Sequence, residues 1–128
     1  MPYVIPALRV SSRAVVDQWI EAFGLEAQQI IGEGDTVEHA ELRLGDDGWV
    51  MAGTPRGTEF DTASGGASLY FVLDEPDTVD AVHAHAVAAG AVSLLEPYEA
   101  DYGGRHCSLT DADGNHWSFG TYAPGSSG

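Results

Sequence analysis

The stretch Gly103-Gly104-Arg105-His106-Cys107-Ser108-Leu109-Thr110-Asp111-Ala112-Asp113-Gly114-Asn115-His116-Trp117-Ser118-Phe119-Gly120-Thr121-Tyr122 decides the fold. Its middle, Asp111 to Asn115, is a turn signal, because Asx side chains bond nearby backbone and Gly114 accepts positive φ. Alternation on both sides makes the stretch a β-hairpin. Trp117 and Phe119 share one face with Cys107 and Leu109, while His106, Ser108, Thr110, His116, Ser118 and Gly120 share the other. The ribbon therefore has an apolar side and a polar side that carries imidazoles and hydroxyls.

Upstream of the hairpin the chain tells the same story twice. Tyr3 to Val10 reads as a strand, with Ser11 or Ser12 as the cap of a helix running to Phe23. Val15, Trp19, Ala22 and Phe23 form that helix's buried stripe, and Gly24 ends it as a left-handed cap. Strands follow at 27–31, 38–44 and 49–54, the last two joined by Gly45-Asp46-Asp47-Gly48. After a connector at 55–66 the order returns: a strand at 67–74, then a helix capped by Asp77, with Val79, Val82, His83 and Ala86 on one face. Gly90 ends that helix, a strand occupies 92–98, and the hairpin closes the unit. Trp49-Val50-Met51-Ala52-Gly53-Thr54 lies over His116-Trp117-Ser118-Phe119-Gly120-Thr121 with Gly-Thr in register. The reading is one α+β domain over 1–122, built from tandem βαβββ modules at about 1–54 and 67–122 that form a cup-shaped mixed sheet with the helices outside. Residues 123–128 read as a disordered tail or a cloning remnant.

Composition narrows the function. A chain of 128 residues with 44% hydrophobic content and no long apolar run is expected to be soluble, cytoplasmic, and without membrane span or signal peptide. A formal net charge of −15 excludes nucleic acid as a natural partner and favours neutral or cationic ligands. The single cysteine, Cys107, allows no internal disulfide and no Cys-rich metal site; it lies on the packing face.

Strand parity names the residues that line the cup. Leu8 and Val10 go to the helix side, leaving Ile5, Ala7 and Arg9 inward; Ala40, Leu42 and Leu44 pack, leaving His39, Glu41 and Arg43 inward. Ser68, Tyr70 and Val72 face in against Leu69, Phe71 and Leu73. Residues 49–52 are all apolar, so parity is silent there; the repeat register puts Trp49 and Met51 inward, and a slip of one residue reverses them.

Two such units ending in Asp-x-Asp-Gly-Asn-x-Trp-Ser-Phe resemble the vicinal oxygen chelate superfamily of glyoxalase I, extradiol dioxygenases, fosfomycin resistance enzymes and bleomycin-resistance-type binding proteins. The resemblance runs from Pro2 to Tyr122 and is most specific at Pro6-Ala7-Leu8-Arg9-Val10 and at 110–119. It implies a divalent metal held from the first, fourth, fifth and eighth strands by His, Glu or Gln. Those positions fall here on Ile5, on Met51 (or Ala52 if the register slips), on Ser68 and on Ser118, none of which is an imidazole or carboxylate. A substitute set from His39, Glu41, His106 and His116 would restore an enzyme, and Glu41 or His106 could act as a general base without metal. His83 and His85 point to different sides of their helix.

The resemblance then implies a metal-free, cofactor-free binding protein similar to bleomycin-resistance proteins, which sequester an aromatic, often cationic antibiotic and in so doing confer resistance without modifying it. No catalytic residue is expected. The ligand-binding set is Arg9, His39, Glu41, Trp49, Met51, Phe60, Ser68, Tyr70, Tyr98, Tyr102, His106, His116 and Ser118: aromatic and thioether surfaces with a few directional polar groups. Arg9 stands at the position where glyoxalase-like proteins often use an inward arginine to hold an anionic substrate group; a salt bridge to Glu41 or another inward carboxylate is the alternative. Phe60 and Tyr102 sit on connector and lip, where they can close over a ligand. The resemblance also implies a homodimer with clefts near or across the interface. The competing function is a small metal-dependent lyase, isomerase or dioxygenase with an atypical metal site.

Overall fold

In the computed structural model, which describes residues 2–125, the chain runs β1 (Ala7–Arg9), α1 (Arg13–Phe23), β2 (Glu26–Ile31), β3 (His39–Leu44), β4 (Gly48–Gly53), then β5 (Ser68–Val72), α2 (Pro76–Ala88), β6 (Val92–Glu99), β7 (Arg105–Thr110) and β8 (His116–Gly120). Each half forms a four-stranded mixed sheet, ordered β1-β4-β3-β2 and β5-β8-β7-β6. The first strand of each sheet runs parallel to the last and the remaining pairs are antiparallel. The architecture is α+β, with the two-module repeat read from the sequence.

Element boundaries differ in a few places for local reasons. The first strand is shorter than 3–10: beyond Ala7–Arg9 its ladder is extended by the Pro6 carbonyl, accepting from Met51 N at 2.9 Å, and by Val10 N, donating to the Gly53 carbonyl at 3.1 Å, while Tyr3 and Val4 stand in solvent. The second helix begins at Pro76 with Glu75 as its cap, not at Asp77. Proline fits the first helical position because no intrahelical donor is needed there, and Asp77 instead places its charge in the first turn. Ala89 closes that helix, one residue before Gly90, whose φ of 100° takes the left-handed bend. Of the tail expected at 123–128, residues 126–128 lie outside the described residues.

One core serves both halves. Trp19 and Phe23 of α1 pack on Trp117 at ring-centroid distances of 5.1 and 4.7 Å, and Phe71 of β5 stacks on the same indole at 5.5 Å. Leu42, Val50, Leu109 and Phe119 fill the remaining space, and Cys107 packs among them. A buried indole needs an acceptor for its N–H, and the hairpin turn supplies one. Asp111 Oδ2 accepts from Trp19 Nε1 at 2.8 Å, from Trp117 Nε1 at 2.9 Å and from Asn115 Nδ2 at 2.9 Å, while Oδ1 takes the backbone N–H of Asp113 and Asn115. Further ties cross between halves: Ser11 donates through backbone and hydroxyl to Asp113, and Ala112 N donates to Gln18 Oε1. No helix among the described residues is long and apolar enough to cross a membrane.

Candidate functional site

Since Ala40, Leu42, Val50, Ala52, Leu69, Phe71, Cys107, Leu109, Trp117 and Phe119 are buried, the alternate residues of the same strands form the opposite, open face. The fourth strand takes the repeat register: Met51 pairs with Glu41 and Trp49 with Arg43, on the open side. Ile5, Met51, Ser68 and Ser118 offer an alkyl group, a thioether and two hydroxyls where the resemblance implied metal ligands. His39 is paired with Glu41, and among the described residues no group of three His, Cys, Asp or Glu could hold an ion. The donor chemistry does not fit a divalent metal.

The open face carries two distinct clusters. In the first module a small cleft of about 200 Å³ lies between Ala7, Arg9, His39, Met51 and Phe60. Arg9 is engaged, but with the connector instead of Glu41: Nε donates to Asp61 Oδ1 at 2.9 Å. Asp61 also accepts the backbone N–H groups of Arg56, Gly57 and Thr58, chiefly that of Arg56, and these bonds together with the Arg9 charge hold its carboxyl below the usual value. Arg56 is itself anchored to the Glu38 carbonyl. His39 Nε2 lies 2.9 Å from Glu41 Oε2, and the Arg43 guanidinium covers Trp49 at 5.5 Å from the ring centroid. The connector is thus pinned across one end of the cleft, with the exposed Phe60 ring at its mouth.

The second module builds an aromatic box around His106. The imidazole stacks on Tyr70 at 5.8 Å, meets Tyr98 at 5.7 Å and receives Tyr102 edge-on at 6.4 Å. Tyr122 stands perpendicular to Tyr102 at 5.2 Å, and Pro124 completes a largely apolar hollow of about 390 Å³. A hydrogen-bonded chain fixes the ring: Tyr102 Oη to His106 Nδ1 at 2.9 Å, His106 Nε2 to Ser108 Oγ at 3.1 Å, and Ser108 Oγ to Ser118 Oγ at 2.7 Å. Tyr70 donates its hydroxyl to the Tyr122 carbonyl at 2.6 Å. Burial lowers the His106 pKa from its ordinary 6.5, leaving a neutral ring at pH 7. The Tyr70 and Tyr102 hydroxyls are pushed up, first by burial and then by neighbouring tyrosines, so both remain protonated donors.

The aligned glycines of the repeat explain where each cluster sits. Gly53 and Gly120 end β4 and β8, and each lies under a large side chain of the parallel neighbour. A Cβ on Gly53 would come 3.0 Å from Arg9 Nη1, and one on Gly120 would come 2.5 Å from Tyr70 Oη. Absent side chains thus seat a guanidinium in one module and a phenol in the other.

Thirteen expected site residues therefore divide. Arg9, His39, Met51 and Phe60 share the first cleft, with Glu41 and Trp49 beside it; Tyr70, Tyr98, Tyr102, His106 and Ser118 share the box. Ser68 and His116, partners at the exposed start of β5 and β8, line neither hollow. Asp61, Arg43, Ser108 and Tyr122 complete the clusters without having been singled out. Ser108 and Arg43 were on the correct parity; Asp61 and Tyr122 lie outside strands, where parity gives no signal.

Comparison with known proteins agrees with this fold. A family model described as Glyoxalase/Bleomycin resistance protein/Dioxygenase superfamily matches residues 11–119. No curated protein sequence matches the chain. Among solved structures, TioX from Micromonospora sp. ML1 is similar at a TM-score of 0.77 and 21% identity, covering 96% of this chain and 100% of that one. A glyoxalase-related enzyme from Fulvimarina pelagi gives a TM-score of 0.70 at 16% identity over 94% of this chain and 87% of its own. A glyoxalase/bleomycin resistance protein/dioxygenase family enzyme from Burkholderia phytofirmans PsJN gives 0.65 at 22% identity over 92% and 94%. At these identities the likeness is one of fold.

Proposed function

The chain belongs to the glyoxalase/bleomycin resistance protein/dioxygenase superfamily, and on that premise we propose that it is a metal-independent binding protein that sequesters an aromatic or cationic, antibiotic-like small molecule. The observation that carries this reading is the box around His106: an apolar hollow walled by Tyr70, Tyr102, Tyr122 and Pro124, with its few polar groups already oriented. Concave aromatic walls with a small number of directional groups favour retention of a planar guest. Lack of metal donors at Ile5, Met51, Ser68 and Ser118 removes the usual means of activating it. A surface of net charge −15 concentrates cations near the opening. A homodimer working in the cytoplasm belongs to the same reading, and sedimentation equilibrium tests the dimer.

Titration with planar aromatic cations, followed by quenching of tyrosine and tryptophan emission, tests the function. Binding should survive exhaustive chelation, and Tyr70→Ala should weaken it by about tenfold, a loss of about 1.4 kcal/mol. One tightly held metal per chain by elemental analysis, with binding abolished by chelator, would reverse the conclusion.

A further inference from the structure

We propose that the box in the second module is a seat for an alkylated ammonium group, and that a proton on His106 and the bound cation exclude one another. The inference rests on the binding function proposed above and names the chemical class that this pocket selects.

The hydroxyls around the box are already engaged. The Tyr70 hydroxyl is committed to the Tyr122 carbonyl and the Tyr102 hydroxyl to His106 Nδ1. With those groups engaged, Tyr70, Tyr102 and Tyr122 present ring surfaces to the hollow. An anion would find no cationic side chain there: Arg105, the nearest in sequence, is bound on the neighbouring position to Asp80 at 2.9 Å and to Glu99 at 3.3 Å. Its pair with Glu99 lies one residue along from the Tyr98–His106 pair, hence on the other side of the sheet. Aromatic faces carry negative quadrupole density, so a positive group with an apolar skin gains attraction without needing a hydrogen-bond acceptor. The hollow of about 390 Å³ accommodates such a head group and the start of an attached chain.

The floor of the box adds the second half of the proposal. His106 touches Tyr70 of β5, Tyr98 of β6, Tyr102 of the β6–β7 loop and Ser108 of β7, which in turn bonds Ser118 of β8, and no charged side chain bonds to it among the described residues. Neutral, it accepts at one nitrogen and donates at the other, and the Tyr102 and Ser108 hydroxyls can each take either complementary role. Protonated, it would set a full charge beneath the ammonium seat, and by linkage the proton weakens the cation by the same factor by which the cation weakens the proton.

The test uses choline and its carbon isostere 3,3-dimethyl-1-butanol, which differ by the charge alone, titrated into the intact protein by NMR while the His106 ring proton is followed. At pH 8 choline should bind at least about tenfold more tightly than the isostere. Its affinity should fall as pH is lowered to 5, and saturating choline should move the His106 titration midpoint downward. His106→Asn, which keeps a group able to bond Tyr102, should abolish the pH dependence, and Tyr102→Leu should weaken choline more than the isostere. Equal affinities for the two probes would overturn this inference and leave the binding function standing. Absence of binding by both overturns it as well, and the function too if planar cations also fail. An unchanged His106 midpoint at saturation overturns the exclusion.

Discussion

Arg9 Nε and Asp61 Oδ1 meet at 2.9 Å, so the first strand and the connector between the modules are latched together at the rim of the first cleft. The carboxylate is held by backbone N–H groups as much as by the guanidinium. Asp61→Asn should therefore loosen the whole turn at 56–61, seen as faster amide exchange at Gly57 and Thr58. Because the folded-state pKa of Asp61 lies below 3.8, its contribution is fully present above that value and is lost as pH falls through the lower folded one. Acid titration of connector exchange should show this loss in the wild type and not in the variant.

Asp111→Ala should be among the most damaging single changes. It strands the indole N–H groups of Trp19 and Trp117 and the amide of Asn115, all buried. The cost is on the order of 3 kcal/mol or more, measurable by urea unfolding. Trp19→Phe, which removes one donor and keeps most of the ring, should cost distinctly less.

Gly120→Ala and Gly53→Ala separate the two clusters. The first drives a methyl into Tyr70, 2.9 Å from its Cε1, and should displace the ring and weaken box ligands by about tenfold, as truncation of Tyr70 does. The second meets the Arg9 guanidinium at 3.0 Å and the Glu38 carbonyl at 3.3 Å, both in the first module, and should leave box binding unchanged.

His106 makes stability depend on pH. With a folded pKa below 6.5, the unfolded chain binds the proton first, so stability falls as pH drops below 6.5 and levels off once pH passes the lower folded value. Comparing unfolding of the wild type with His106→Asn at pH 7.5 and 5 isolates this component: the difference should favour the wild type less at the lower pH.

Cys107 should be inert. Burial pushes its thiol up to about 11, and at pH 8 that alone lowers the thiolate fraction about a hundredfold relative to the unfolded chain. Iodoacetamide should label the native protein correspondingly slowly.

Much of this was legible in the sequence because it follows from period and repetition. Strand parity placed Arg9, Glu41, Tyr70, His106 and Ser118 on the open face, and the overlay of 49–54 on 116–121 resolved a strand whose own residues could not choose a side. Pairing between distant segments was less visible. Asp61 is one of many acidic residues in an acidic chain, and nothing local marks it as the partner of Arg9. Asp111 reads as a turn former, yet its larger task is to accept from a helix on the far side of the core. The box likewise needs Tyr102 and Tyr122, which lie beyond strand ends, where backbone geometry and not alternation aims the ring.

The Asp111 carboxylate also breaks the equivalence of the halves. The Trp19 indole N–H donates to a residue 92 positions later in the chain, whereas among the described residues the short turn between β3 and β4 makes no matching bond to the second helix. A ribosome delivering the N-terminal half first releases a helix that cannot be completed until the last hairpin emerges. Duplicated in pattern, the modules have become dependents of one another, and a gene split at the connector would yield two fragments that must meet before either is whole.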